Sequence, residues 1–190
     1  MIPARGAGDA QDDDNWITTR GPQFMLRGQP VLLRGVNWFG FETDSLVPHG
    51  LRARRLEDLL DQVAALPANL LRLPFCNEVL RPGARPNLGA VDEALNPSLA
   101  GRGCLEVMDA VVAGCARRRI WVLLDRHRPT SKGQTELWHG DGVSEAEWIE
   151  DWRTLALRWG GCMSRARFGR GRNILCACVW HCRSRASGGA

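Results

Sequence analysis

Short apolar segments that alternate with amphipathic helices predict an α/β protein built from βαβ units around a parallel sheet. Three observations carry the prediction. The runs NLLRLPF and IWVLLD are continuously apolar at strand length, as buried parallel strands are. The segments RRLEDLLDQVAAL and LEVMDAVVAGCARRR repeat their apolar residues at helical spacing. Strand and helix then follow one another three times in order, with a sheet expected to be covered on both faces.

Each element has its own sequence basis. Residues 1–15 are rich in Gly, Ala and Asp and are set apart as a disordered N-terminal segment. FMLRGQPVLLRGVNW reads as a hairpin of two strands about Gly28-Gln29-Pro30, the second running on to Trp38. Leu56, Leu59, Leu60, Val63 and Leu66 line one face of the first helix. NLLRLPF is the second strand, expected to stop at Pro74 because proline lacks a ladder donor. A loop rich in Pro, Gly and Asn follows from Asn77 to Arg102. The second helix ends in arginines, which suit the negative end of its dipole. IWVLLD is the third strand. The third helix is expected from Ser144 to Trp159, and SEAE supplies a capping box with Ser144 at N-cap and Glu147 at N3.

The formal net charge of +4 is unevenly placed. From Gly161 to Ala190 there are six arginines and no acid, so the remainder carries −2. Basic character belongs to this tail, and the body calls for no nucleic-acid partner. No apolar run reaches the ~20 residues of a membrane span. MIPARGAGDAQDDDNW has no apolar core of a secretory signal, so no leader is expected in these residues. Seven cysteines cannot all pair within one chain. Four of them, Cys162, Cys176, Cys178 and Cys182, crowd into residues 161–190, where acids vanish and arginines rise. That break marks 161–190 as a tail foreign to the domain, as a frameshift or mis-splicing produces. Its alternative is a metal site from Cys176, Cys178, His181 and Cys182, although the usual C-x2–4-C pair is missing.

Chemistry in parallel α/β folds gathers at the C-terminal ends of strands. Asn37 and Trp38 end the first strand, Arg72 interrupts the second, and Asp125 to Arg128 end the third. A buried arginine needs a carboxylate or a ligand; a structural ion pair with Asp125 is as good a reading of Arg72 as a binding role. His127 is either a hydrogen-bonding partner of a substrate hydroxyl or a solvated loop histidine. With Asn37 and Arg72 at equivalent strand ends, the binding role is favoured. Trp38 and Trp138 suit the flat C–H faces of sugar rings, whereas Phe39 is read as packing. There is no G-x-G-x-x-G, Walker loop or G-x-S-x-G elbow, so nucleotide binding and serine-hydrolase chemistry have no support.

VLLRGVNWFGFET, LLRLPF, VLLDRHRPTSKGQTELWH and VSEAEWIEDWRTLALRW together resemble glycoside hydrolase family 5, the cellulase family. The likeness is to its bacterial-type endo-β-1,4-glucanases and runs from residue 16 to 160. It implies a (β/α)8 TIM barrel, of which this region is the first three βα units plus an N-terminal β-hairpin. It also implies retaining hydrolysis of β-1,4-glucan without a cofactor, and an extracellular setting. By the same likeness, Arg72 lies beside the nucleophile and keeps it ionised. His127 lines the subsite next to the cleaved bond, and Asn37 and Trp38 line the cleft.

Retaining hydrolysis uses two carboxylates about 5–5.5 Å apart. The family's acid/base is the Glu of an Asn-Glu-Pro motif ending strand four, and its nucleophile is a Glu ending strand seven. Neither has a counterpart here. Asn77-Glu78 is followed by Val79 and comes after strand two, and Glu42 and Glu136 are loop acids. A whole barrel takes about 250 residues. The chain is therefore expected to be poorly stable and catalytically silent by itself; a non-catalytic glucan-binding module or a Cys/His metal-binding module is the alternative.

Overall fold

The computed structural model describes residues 17–133, 142–164 and 174–176, of which 160–164 and 174–176 are described by backbone alone. Its elements are β1 (Ile17–Arg20), β2 (Gln23–Leu26), β3 (Gln29–Val31), β4 (Gly35–Asn37), α1 (Leu56–Ala65), β5 (Leu70–Cys76), α2 (Cys104–Arg117), β6 (Trp121–Arg128), α3 (Glu145–Ser164) and β7 (Ile174–Cys176). Strands β4-β5-β6-β7 form a parallel sheet in sequence order, and β1-β2-β3 form a separate antiparallel sheet.

The single hairpin expected at the N-terminus is thus three strands, and its long second strand is two. The β2–β3 turn lies at Arg27-Gly28, one step earlier than read, with φ of 51° and 72°. Positive φ at both central residues suits the twist of a two-residue hairpin. The chain then leaves this sheet through Leu32–Arg34. Asn69, just before β5, fastens the break: its Nδ2 donates to the Leu32 carbonyl at 2.9 Å and its Oδ1 accepts from the Arg34 N–H at 2.8 Å.

The helices cover one face of the parallel sheet, not two. When strands are laid down in sequence order, right-handed crossovers must all fall on the same side. Leu71, Leu73 and Phe75 of β5 and Val122 and Leu124 of β6 are buried there against Leu60, Val107, Met108, Val111 and Cys115. Helix α3 joins this layer through Leu155 and Trp159, and Trp152 meets Phe75 edge-on with ring centroids 5.8 Å apart. Aromatic pairs of this kind add about 0.5–1.5 kcal/mol beyond area burial. Arg118 bridges α2 to Glu57 and Asp61 of α1, and Arg158 bridges α3 to Asp109 of α2.

Strand β5 does not stop at Pro74 but runs through it to Cys76. The N–H of Leu70 bonds the Arg34 carbonyl and that of Cys76 bonds the Phe41 carbonyl. Residue 74 shares their direction, since ladder direction repeats every second residue. Its neighbour on that side has already ended at Asn37, and contact resumes only at the Phe41–Phe75 bridge. Proline therefore occupies the one slot where no donor is required.

Two caps are built differently from each other. Helix α3 begins with the expected capping box: Ser144 N–H donates to Glu147 Oε2 at 2.9 Å, and Glu147 N–H reaches Ser144 Oγ at 3.3 Å. This helix runs to Ser164, beyond the expected end at Trp159. Helix α1 has no side-chain cap of its own. Buried Asn96 takes that part from forty residues away, accepting from the Leu56 N–H at 2.7 Å and donating to the carbonyls of Leu51, Arg54 and Asp92. The segment read as loop after β5 contains two 3-10 turns, Asn77–Leu80 and Pro97–Leu99. Strand β7 lies within the residues 161–190 that composition separates, paired to Val122–Leu124 of β6.

Candidate binding cleft

The charged residues that follow IWVLL are part of β6, which extends to Arg128. Register decides which of them meet. Asn37 pairs with Arg72, Arg72 with Leu123 and Pro74 with Asp125, so these residues share a sheet face. It is the face opposite α1 and α2. The β5–β6 register then shifts: Phe75 pairs with Arg126 and Cys76 with Arg128, which leaves His127 without an opposite residue. Bulges of this sort re-aim a side chain near a site.

Four side chains converge as a result. The Arg72 guanidinium forms an ion pair with Asp125 Oδ2 through Nη2 and donates to Asn37 Oδ1 through Nη1 at 3.3 Å. His127 Nδ1 lies 3.2 Å from the same Asp125 oxygen and 3.4 Å from Arg72 Nη2. Asp125 is only 2% exposed, while the side chains of Arg72 and His127 are 24% and 28% exposed. The buried carboxylate thus anchors two side chains that still reach the surface. The ion pair and the open face coexist, so the two readings of Arg72 are not exclusive.

The aromatic candidates divide. Trp38 is half-buried against the core, and its indole N–H donates to the His49 carbonyl at 2.9 Å. Phe39, read as core or rim packing, is 51% exposed, with its ring centroid 4.2 Å from that of His49. His49 Nε2 lies 3.2 Å from Thr43 Oγ1 and 3.1 Å from Ser45 Oγ. Gly40 permits this loop: its φ is 141°, and a Cβ there would strike the Val47 carbonyl. Trp138 and Glu136 lie outside the described residues, as do Cys178, His181 and Cys182 of the tail.

The acids near the strand ends are each engaged. Glu42 is buried and accepts from the Gly40 N–H at 2.7 Å, and Glu78 accepts from the Ser131 N–H at 2.9 Å. Asp151 of α3 accepts from Asn77 Nδ2 and pairs with Arg81, while Asn77 Oδ1 accepts from Arg126 Nε at 2.8 Å. Burial raises the Asp151 carboxyl above its usual range, although the bond from Asn77 and the charge of Arg81 oppose it. Burial likewise lowers Arg126, against the attraction of Asp151. This network binds α3 to the ends of β5 and β6. No motif announces it, because its members come from three segments.

Among the described residues, no group of three or more His, Cys, Asp or Glu side chains is placed to hold a metal ion. Nor is any described helix long and apolar enough to cross a membrane. The thiols of Cys76, Cys104 and Cys115 are free and buried, and burial pushes them up to about 11, 12 and 12 respectively.

Comparison with known proteins identifies the frame in which these residues sit. An endoglucanase of Paenibacillus polymyxa is 38% identical over 152 residues, covering 80% of this chain and 38% of the relative. The major extracellular endoglucanase of Xanthomonas campestris pv. campestris is 42% identical over 132 residues, 70% of this chain and 27% of the relative. The solved catalytic domain of the major endoglucanase from that organism superposes with a TM-score of 0.65 at 42% identity, over 70% of this chain and 38% of that one. An endocellulase of Pyrococcus horikoshii in complex with cellotetraose gives a TM-score of 0.73 at 36% identity, over 80% of this chain and 42% of that one. The chain spans well under half the length of these curated relatives. The family described as cellulase (glycosyl hydrolase family 5) matches residues 26–168, three quarters of the sequence, and the chain belongs to that family.

Proposed function

We propose that this chain forms the N-terminal part of the glucan-binding cleft of a retaining, extracellular endo-β-1,4-glucanase. Strands β4 to β6 with α1 to α3 are the first three βα units of its (β/α)8 barrel, carried by residues 16–160. The observation that supports this reading is the convergence of Asn37, Arg72 and His127 on buried Asp125 at the C-terminal ends of parallel strands. Barrel enzymes build their sites at that end.

The roles follow from the chemistry of each group. Arg72 presents a permanent positive charge that favours an ionised carboxylate beside it. His127 hydrogen-bonds a sugar hydroxyl, and Asn37 offers its amide across the same face. Trp38 and Trp138 pack against sugar rings. The relative solved with cellotetraose supports a β-1,4-linked glucose chain as the occupant.

Cleavage requires two carboxylates placed about 5–5.5 Å apart. Asp125, Glu42 and Glu78 are held by hydrogen bonds to the protein itself, and the sequence contains no Asn-Glu-Pro motif. The 190 residues by themselves therefore hold glucan without cutting it. Cellotetraose titration by calorimetry and reducing-sugar release from a soluble cellulose derivative test both halves. Saturable binding that weakens in His127→Ala, with no sugar released, is the expected result. Binding indifferent to His127→Ala would remove the cleft, and turnover would remove the claim of silence.

A further inference from the structure

We infer that Asp125 is a positioning residue: it holds His127 in the tautomer protonated at Nδ1, which leaves Nε2 as a hydrogen-bond acceptor for a hydroxyl of the bound sugar. The inference deepens the glucan-cleft reading and rests on it for the identity of the ligand.

The geometry carries the argument. Asp125 Oδ2 is the point on which Arg72 Nη2 and His127 Nδ1 both converge. An ionised carboxylate only accepts hydrogen bonds, and a guanidinium only donates. Arg72 therefore cannot accept a proton from the imidazole, and Asp125 cannot donate one. The 3.4 Å between Nη2 and Nδ1 is longer than the 3.2 Å between Nδ1 and Asp125 Oδ2, and it fits two donors that share that oxygen. Nδ1 must carry hydrogen for its 3.2 Å contact with Asp125 to be a hydrogen bond. The second bond of a histidine selects which nitrogen remains available.

Placement fixes the direction as well. His127 is the extra residue of the β6 bulge and keeps part of its ring exposed, whereas Asp125 is buried. Among the described residues, Nε2 has no partner. A lone pair there takes a hydrogen bond from a hydroxyl and gives nothing to an ether oxygen. The subsite thus distinguishes a free hydroxyl from its methyl ether, a discrimination that an N–H donor at the same point would not make.

Long-range proton–nitrogen correlation spectra of the full chain, labelled with 15N-histidine, read the tautomer directly. The His127 signals are assigned by their loss in His127→Gln. At mildly alkaline pH, wild type should show a protonated Nδ1 and a bare Nε2. Asp125→Asn keeps an acceptor oxygen and should keep this pattern, whereas Asp125→Leu removes it and should revert His127 to the Nε2–H form. Loss of one such bond should weaken cellotetraose binding about fivefold in the Leu variant. A wild-type Nε2–H signal overturns the inference whatever the sugar does. Cellotetraose that binds and leaves the Nε2 shift unmoved overturns the acceptor role. Cellotetraose that does not bind at all overturns the glucan reading, while the tautomer pattern still decides the role of Asp125.

Discussion

Replacing Arg72 by methionine separates its structural role from its binding role. The substitution keeps the side-chain stem but leaves Asp125, at 2% exposure, with His127 Nδ1 as its remaining side-chain hydrogen-bond partner. Breaking a buried ion pair on one side costs about 3–5 kcal/mol. Arg72 is roughly a quarter exposed, so solvent reaches the pair and the lower end applies, about 3 kcal/mol. Replacing both partners, Arg72→Met with Asp125→Leu, removes the stranded charge and should recover all but about 1 kcal/mol. Urea denaturation of the four proteins of the cycle, followed by tryptophan fluorescence, gives the coupling directly. A single variant within about 1 kcal/mol of wild type would refute the claim that the carboxylate is desolvated. Cellotetraose binding is the second readout. If Arg72 acts in the cleft, the double variant binds more weakly than Asp125→Leu alone even as stability returns. Equal binding by those two variants would make Arg72 a structural cation only.

Three further outcomes follow from the described contacts. Asn96→Ala strips the cap of α1 and unpairs buried backbone groups at Leu51, Arg54 and Leu56, and should cost about 3 kcal/mol in the same urea assay. The bonds from Ser144 hold Glu147 below the usual glutamate range. Its contribution is therefore present above that range and is lost as pH falls through the lowered value; helicity by circular dichroism should decline on acidification in wild type, and less steeply in Glu147→Gln. Cys76, Cys104 and Cys115 should resist iodoacetamide at mildly alkaline pH and react on addition of urea, as peptide mapping by mass spectrometry would record.

What the sequence made legible was what local pattern controls. Leu56 and Leu60 repeat at helical spacing, and Ser144 and Glu147 stand at capping distance, so α1 and the start of α3 could be read directly. The polar strand ends could be read too, because Arg72 and Asp125 interrupt apolar runs and strand ends of a parallel sheet share one side. The rest depended on partners distant in sequence. Ile17–Arg20 is mostly polar and exposed, and becomes a strand only because β2 pairs with it. Asn96 caps a helix forty residues earlier, which no window around either residue shows. The bulge at His127 arises from the register of β5 against β6. Nothing in the neighbours of Phe39 reveals that the loop turns it outward onto His49.

Pro74 also acts as a ruler. Because it has no N–H, it is tolerated only opposite the gap between Asn37 and Phe41. If β5 slid by two residues along β4, Pro74 would face a strand carbonyl and leave it without a partner, at about 1–3 kcal/mol. A slip by one residue would turn Arg72 toward the helices and Leu71 away from them. A residue that contributes no bond thus selects one alignment among several that the apolar pattern alone allows. That alignment is the one in which Arg72 stands between Asn37 and Asp125.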